Sequence, residues 1–506
     1  MEESRSRPPP SLALDLDVSE VEGEGEGVYV SAVDAAGSGL SAVAGKLVRR
    51  VEPVPPGGGY YAVDGSHRVL EFSRITMVVS SVAVGYRDGC VLGATYPDSG
   101  SWPYIALRRL APRGQPPEPL SAGPLPGGLP LVATRPLVDA RSFLDLINVT
   151  NSRVRERLMS LTYGHGYSRQ TMADENRTML ENSALEWCVR QGAHRIILDG
   201  PLYMIPGGLV AYFLRKSPLM GYPEIKRRFY MLAYLRIIAD RAWLLAQALE
   251  QGAVVVSVVK RLSNSRILSR SLAYANVISS PSAKDVELVE YLVSKVSGGK
   301  PGVYSVGPIL VALDAKSVLY RCTAPVAGTD SRTAPRRLGL PTFYQMAARH
   351  KPLYRDSVRF GDVERRLTIA YSVIAGVDDR QCGFLLKRAY YLYVRGVHGV
   401  TAMIRVEVPW HASEDGVVQA ADEDGARSVI SNAIRNYDTS RDEEVLGEVA
   451  YLLNWIQPGT VPSPLGLADK LAKCVAREVA WMVFQVLSRA TTPTGETLVS
   501  MHAGEG

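Results

Sequence analysis

Apolar and polar residues alternate along the chain from Tyr60 to about Gly93. The alternation runs through four segments rich in β-branched residues, YYAVDG, RVLEF, RITMVVSSVAVGY and GCVLGAT. A period of two residues is typical of a strand with one face against a core. The pattern therefore predicts three antiparallel strands that open a sheet.

Helical periodicity follows, interrupted by short apolar runs. Apolar positions three and four residues apart predict helices over 142–161, 168–190 and 224–252, and Gly192 and Gly252 end the last two. The runs HRIILDG and AVVVSVVK predict buried strands after these two helices. Strands followed by alternating helices and strands indicate a mixed α/β sheet. Further β-rich runs, GVYSVGPILVAL, AYYLYVRG and TAMIRVEVPW, precede a closing helix over 467–490.

Composition shifts divide the chain into three parts. The acidic, glycine-punctuated start predicts a flexible N-terminal extension over 1–54. One main domain over 55–490 follows, with insertions at about 100–165 and 280–365, and a flexible tail over 491–506. The density of proline and glycine over 111–130 excludes regular structure there.

Overall composition narrows the class of protein. The chain has 506 residues, 46% hydrophobic and 21% charged, as folded proteins do. It has no window of roughly 20 uninterrupted apolar residues, which a bilayer span needs, so no membrane association is predicted. Five scattered cysteines without a CxxC pair argue against structural zinc and for the cytoplasm. A net charge of +6 permits a polyanionic partner without requiring one.

Two aspartates stand in similar places. Asp64 in AVDGS and Asp199 in ILDGP each follow an apolar run and precede glycine, which predicts a carboxylate where the strand ends and the chain turns. If the two strands are neighbours, both carboxylates can bind one hard divalent cation such as Mg²⁺ or Mn²⁺. The alternative for each is an ordinary Asp-Gly turn.

The helix between these strands offers a third carboxylate. A strand rises roughly 3.3 Å per residue and a helix about 1.5 Å, so the height of Asp199 is matched close to Glu181. Glu186 lies about 7 Å lower and is the alternate ligand. The competing interpretation of Glu181 is a solvated helix face.

Basic residues lie close to both aspartates in sequence. Lys260 and Arg261 follow the strand AVVVSVVK, and His67 and Arg68 follow Asp64. All four are candidate DNA-binding residues, with Lys260 favoured as a phosphate contact over a solvated strand end.

The order of several motifs resembles the archaeal NurA nuclease family. The motifs are YYAVDGSHR, RTMLENSALEW, HRIILDGPL, VVVSVVKR and IRVEVP, within a similarity from about residue 55 to about 490. The resemblance implies an RNase H-like mixed-sheet core with β-rich insertions and a C-terminal helix. It also implies a dimeric, Mn²⁺-dependent DNA nuclease that works with the hexameric ATPase HerA in DNA end resection for recombinational repair. Asp64, Glu181 or Glu186, and Asp199 then stand at the metal-binding carboxylates.

The C-terminal part departs from the family pattern. The family has a tyrosine followed eight residues later by a histidine, where this chain has Val461 and Asp469. Aspartate can also bind a hard cation, so Asp469 is a fourth candidate catalytic residue. Its alternative role is a helix cap or a charge in the first turn of a helix.

The residues and the resemblance together predict a metal-dependent deoxyribonuclease that acts through activated water. We expect a 5′ to 3′ exonuclease and single-strand endonuclease, with Mn²⁺ or Mg²⁺ as cofactor. One alternative is a catalytically weak DNA-end-binding subunit that docks on the ATPase, and another is a phosphatase-like hydrolase. The chain lacks a GxxxxGK[ST] loop, so it is not expected to power translocation itself.

Overall fold

The computed structural model describes residues 37–71, 75–86, 89–95, 107–109, 169–203, 237–275, 277–279, 283–314, 365–366, 369–370, 372–374, 384–415, 442–453 and 461–489. The helix predicted over 142–161, the loop over 111–130 and the tail over 491–506 lie outside the described residues. So do the first part of the helix predicted over 224–252 and most of the two predicted insertions.

Helices and strands occur along the whole described part of the chain. The first half contains α1 (Gly37–Leu47), β1 (Val48–Val51), β2 (Tyr61–Glu71), β3 (Ile75–Tyr86), β4 (Gly89–Thr95), β5 (Leu107–Arg109), α2 (Arg169–Arg190) and β6 (Arg195–Asp199). A helical segment over 237–250 follows. The second half contains β7 (Val254–Val259), α3 (Ile267–Tyr274), α4 (Asp285–Ser297), β8 (Gly302–Asp314), β9 (Phe384–Gly396), β10 (Gly399–Pro409), α5 (Ala412–Asp415), α6 (Glu443–Leu452) and α7 (Ser463–Arg489).

These strands form one mixed sheet of ten strands in the order β1-β8-β9-β10-β7-β6-β2-β3-β4, with β5 paired to β3. Strands β2, β3 and β4 are antiparallel neighbours, whereas β6 runs parallel to β2 and β7 runs parallel to β6. The predictions of three opening antiparallel strands and of a mixed α/β sheet are confirmed.

Helices cover both faces of this sheet. One buried cluster joins the face that carries Ala62, Ile197 and Val258 to helices α6 and α7. A second cluster packs α1, α3 and α4 against the opposite face of β8 and β9. Helix α2 contacts β2 and β3. Because both faces of the central strands are buried, these strands read as apolar runs in the sequence.

The strand β2 does not end at Asp64. It continues to Glu71, and Gly65 pairs with Val82 of β3 instead of turning the chain. The prediction of a turn after Asp64 is therefore wrong, because glycine in an extended strand keeps its ladder partners. Only the pairing with β6 stops here, since Val63 opposite Leu198 is the last parallel pair. After Asp199 the chain does turn, at Gly200 with a φ of 79°.

The N-terminal boundary also differs from the prediction. Residues 37–51 form α1 and β1, and β1 pairs antiparallel with β8 through Val48 opposite Val306. A flexible extension up to residue 54 is therefore wrong for residues 37–51, whose apolar side chains Leu40, Ala44 and Leu47 are buried. Residues 283–314, predicted inside an insertion, supply α4 and β8 to the same core.

Within the described part of the chain, no helix is both long and apolar enough to cross a bilayer.

Candidate active site

Three acidic side chains converge at the point where β2 separates from β6. The parallel register places Val63 opposite Leu198, so the next residues, Asp64 and Asp199, lie side by side. Alternate strand residues share a face, so both point to the face of Ala62 and Ile197, which α7 covers. Helix α7 carries Asp469 near its N-terminal end. Two adjacent strands and one helix therefore build the acidic cluster.

A single ammonium group lies among these three carboxylates. Lys260, the first residue after β7, places its Nζ 3.3 Å from Oδ2 of Asp64, 3.0 Å from Oδ1 of Asp199 and 4.0 Å from Oδ1 of Asp469. The Asp199 oxygen is a buried atom without a hydrogen bond of good geometry from the described residues, so its contact with Lys260 is an ion pair. Because one nitrogen contacts both strand carboxylates, these groups lie much closer than the about 10 Å beyond which no ion could be shared.

Glu181 reaches the cluster from the opposite layer. It lies on α2, and its Oε1 is only 2.5 Å from the position that a Cβ atom on residue 65 would occupy. Gly65 has no side chain, and this gap lets the Glu181 carboxylate approach β2 beside Asp64. The geometry explains why glycine follows Asp64 although no turn is present.

Two arginines hold Glu181 in place. Arg177 lies 3.7 Å from its Oε1 and Arg241, on the helical segment over 237–250, lies 3.4 Å from its Oε2. Sequence reasoning did not identify either arginine. The spacing of Arg177 four residues before Glu181 is a usable signal for a helical ion pair, whereas no local pattern marks Arg241.

Glu186, the alternate third carboxylate, does not join the cluster. Its side chain is 40% exposed and forms an ion pair with Arg190 one helical turn away. Five residues separate it from Glu181, so on a helix it lies farther down the axis. The position of the helix therefore selects Glu181.

Burial and crowding set the protonation of the cluster. Burial, and after it the charge of neighbouring Asp199, raise the pKa of Asp64 to about 9, although Lys260 opposes the shift. Burial also raises the pKa of Glu181, although Arg177 and Arg241 oppose it. For Lys260, burial lowers the pKa, but the attraction of Asp199 and Asp64 outweighs it, and the net shift is upward. The ammonium is therefore charged.

The donor set fits a hard divalent cation. It consists of carboxylate oxygens, and it already holds one positive charge, that of Lys260. In the described residues no three His, Cys, Asp or Glu side chains are arranged as a finished metal-ligand set. The carboxylates of Asp64, Asp199 and Asp469 surround an ammonium nitrogen instead.

The remaining basic candidates lie around the cluster. Arg68 is exposed, and it shares the face of Asp64 because it lies four residues farther along β2. His67 is half-buried and faces the other way. Arg261 is exposed in the loop that follows Lys260. The structure thus places Lys260 inside the site, and it places Arg68 and Arg261 at the surface.

Comparison with protein families identifies the domain that carries this site. The model of the NurA domain matches residues 58–306, a span that includes Asp64, Glu181, Asp199 and Lys260. The chain belongs to the NurA family. The match begins close to the start predicted at residue 55, and it ends before β9, β10 and the helix with Asp469.

Solved structures of NurA proteins are among the structures to which this chain is similar. A NurA nuclease from Sulfolobus solfataricus is 9% identical, with 90% of each chain covered and a TM-score of 0.34. A second NurA structure is 12% identical, with 90% of this chain and 96% of the other covered and a TM-score of 0.37. A structure of NurA bound to dAMP and manganese is 12% identical, with 91% and 94% covered and a TM-score of 0.33.

A comparison with curated proteins gives no match.

Proposed function

We propose that this chain is a metal-dependent DNA nuclease that hydrolyses phosphodiester bonds. The observation that carries the proposal is the convergence of Asp64 and Asp199 on one cation, with Asp469 beside them and Glu181 close to Asp64. Membership of the NurA family supports it independently. Because this family includes proteins solved with manganese and dAMP, Mn²⁺ and DNA are the first probes.

We also propose that the core is RNase H-like. Five strands in the order β4-β3-β2-β6-β7 support this view, with the first three antiparallel and the last two parallel to β2. In this arrangement the first strand of the core, β2, lies at its centre and carries Asp64. The strands β10, β9, β8 and β1 extend the sheet on the side of β7.

Each side chain has a distinct task in this mechanism. Asp64, Asp199 and Asp469 would hold the divalent ion, which when bound supplies an activated water and neutralises charge on the phosphoryl group. Arg177 and Arg241 hold the Glu181 carboxylate against β2 at Gly65. Exposed Arg68 and Arg261 are suited to bind DNA phosphates. The burial of Asp64 limits the access of bulk water.

A direct assay tests this function. The purified full chain is incubated with end-labelled single-stranded and double-stranded DNA in the presence of Mn²⁺, Mg²⁺ or EDTA. We expect cleavage with Mn²⁺, weaker cleavage with Mg²⁺ and none with EDTA. Labels at the 5′ and 3′ ends and circular single-stranded DNA test the proposed 5′ to 3′ exonuclease and endonuclease modes.

One observation favours a second candidate function. Val461 replaces the tyrosine that the family resemblance implies, so a DNA-end-binding subunit with weak catalysis is the alternative. Intact DNA in every metal condition, together with a metal-independent gel shift, would support that subunit and exclude the nuclease. Hydrolysis of p-nitrophenyl phosphate by a protein that leaves DNA intact would instead favour a phosphatase.

We further propose that the chain forms a homodimer and works with a HerA-type hexameric ATPase in DNA end resection. Both the dimer and the ATPase partner are proposed from the family relationship alone. Sedimentation of the purified chain tests the dimer. Co-elution with such an ATPase tests the second partner, and separate elution at micromolar concentration of both proteins would contradict it.

Filling the gap at Gly65 is expected to disable the site. In a Gly65→Ala variant the new Cβ would lie 2.5 Å from Oε1 of Glu181 and 2.6 Å from Cγ of Arg177, so both side chains must move. A displacement of about 1 Å in a catalytic site can cost roughly 100-fold in rate. We expect a loss of that order in DNA cleavage, measured as initial rate with Mn²⁺.

Gly45 offers a matched control for this substitution. It lies in α1, and a Cβ there would meet no atom within 4 Å. Alanine stabilises a helix interior by roughly 0.5–1 kcal/mol relative to glycine, so Gly45→Ala should keep full activity and an equal or higher Tm. Equal activity of the two variants would show that the approach of Glu181 to Gly65 does not matter for catalysis.

A further inference from the structure

Lys260 is held inside the acidic cluster and not at its rim. Its Nζ contacts Asp64, Asp199 and Asp469 within 4.0 Å, and its side chain is only 22% exposed. A lysine that only binds a DNA phosphate would extend into solvent. The neighbouring residue Arg261 is exposed in this way. The position between the carboxylates is also the one that a shared divalent ion requires.

Charge balance explains why the ammonium lies there. Asp64 and Asp199 are neighbours on parallel strands, and two like charges at this separation in a buried place repel strongly. Arg177 and Arg241 are engaged with Glu181, and Lys473 contacts Asp469 from the exposed side. Among the described residues, Lys260 is the cation that contacts both strand aspartates.

The backbone around Lys260 is fixed while its side chain can move. Strand β7 precedes it, and Ser265 in the following loop is tied to buried Asp285 by a hydrogen bond of 2.6 Å. Asp285 also accepts the backbone N–H of Ile267 at 2.9 Å. The four-carbon stem of lysine has several rotatable bonds, so the ammonium can leave the cluster without a shift of the strand or the loop.

We propose that Lys260 is an internal counter-ion that a divalent metal displaces. In the metal-free protein its ammonium lies between Asp64 and Asp199 and compensates the negative charge that this pair carries. When the divalent ion binds, the ammonium leaves this position and becomes available to a phosphate of the substrate. The inference rests on the proposed function for the metal, but not on DNA cleavage. Metal binding to this chain is then an exchange of one cation for another.

The exchange predicts that loss of Lys260 strengthens metal binding. Lys260→Met keeps the length of the apolar stem and removes the competing charge. We expect the dissociation constant for Mn²⁺, measured by calorimetric titration of the DNA-free protein with MnCl₂, to fall roughly tenfold or more. Lys260→Arg keeps the charge and should leave it close to the wild-type value. The metal-free Tm of Lys260→Met should fall, and Mn²⁺ should raise its Tm more than that of the wild type.

Lys473 provides the matched control. It also contacts Asp469, at 2.7 Å, but its side chain is 61% exposed, and it lies outside the three-carboxylate position. Lys473→Met should change the Mn²⁺ dissociation constant by less than about threefold, as for an exposed pair. Equal or weaker Mn²⁺ binding by Lys260→Met than by the wild type would overturn the proposal.

A measurement on the wild-type protein covers the case in which Lys260→Met fails to fold. Reductive methylation followed by mass spectrometry reports the reactivity of each lysine. Lys260 should be protected without metal and more reactive with Mn²⁺, and an unchanged or lower reactivity would contradict the exchange. DNA cleavage with no change at Lys260 would refute only this inference. If Lys260→Met binds Mn²⁺ more tightly but the wild-type protein does not cleave DNA, only the nuclease function is refuted.

Discussion

Replacing Asp64 with asparagine is expected to lower DNA cleavage on the order of 1000-fold while the protein stays folded. Asp64 is 1% exposed and adjoins Asp199 where the two parallel strands diverge, so under the proposed function its carboxylate would hold the metal ion. A bound metal supplies several kcal/mol of charge stabilisation in the transition state, and each 1.36 kcal/mol is a factor of ten in rate. Asparagine has the same shape as aspartic acid, so Tm should hardly change. Initial cleavage rates with Mn²⁺ and thermal unfolding check both parts.

Asp240 supplies the control for that experiment. It is a half-buried aspartate that pairs with Arg366 outside the acidic cluster. Asp240→Asn should retain the cleavage rate within a few-fold, and Asp64→Asn should retain DNA binding in a gel-shift assay. A fully active Asp64→Asn protein would mean that the acidic cluster is not the catalytic site.

The strands that position the cluster could be predicted because burial imposes a simple pattern. Strands β2, β3 and β4 show the alternation of apolar residues, and β6 and β7 show the continuous apolar run of strands covered on both faces. The closeness of Asp64 and Asp199 followed from the assumption that their two strands are neighbours, and the structure pairs these strands in parallel with the two residues side by side.

The contacts across layers could not be predicted in the same way. In the sequence, Gly65 is typical of a turn. The structure shows that a glycine is needed here because Glu181 of α2 approaches the strand where a side chain would lie. Arg241 reaches Glu181 from 60 positions along the chain. Such contacts depend on how layers pack, and a local pattern carries no information about packing. Helix α1 and strand β1 were not predicted for the same reason. The acidic and glycine-rich residues that precede them dominate the local composition.

A second group of buried charges lies in β9 and β10 and supports the turn after Asp199. Glu407 is fully buried and accepts hydrogen bonds from Lys387 at 2.8 Å and from Arg405 at 2.8 Å. It also accepts the backbone N–H of Leu202 at 2.7 Å, three residues beyond Asp199. One carboxylate therefore compensates two buried cations and fixes a segment of the active-site edge.

Glu407→Gln is expected to destabilise the fold more than any other single substitution considered above. The amide keeps the shape but removes the anion that lies against Lys387 and Arg405, and the loss of one partner of a buried ion pair costs about 3–5 kcal/mol. We expect the free energy of unfolding in urea at pH 7 to fall by about this amount. Glu52→Gln is the control, because Glu52 pairs with Arg50 at the surface, where ion pairs contribute about 0–1 kcal/mol.

The pH dependence of this destabilisation identifies its cause. Burial alone would raise the pKa of Glu407, but Lys387 and Arg405 outweigh burial and lower it to about 2. A carboxyl whose pKa is lower in the folded state stabilises the fold above its unfolded pKa of about 4.5, and this contribution is lost as the pH falls toward about 2. The difference in unfolding free energy between wild type and Glu407→Gln should therefore be largest above about pH 5 and shrink steadily below it. If this difference in unfolding free energy stays constant from pH 7 down to pH 3, the variant acts through altered packing. The loss of a charge would give a difference that depends on pH.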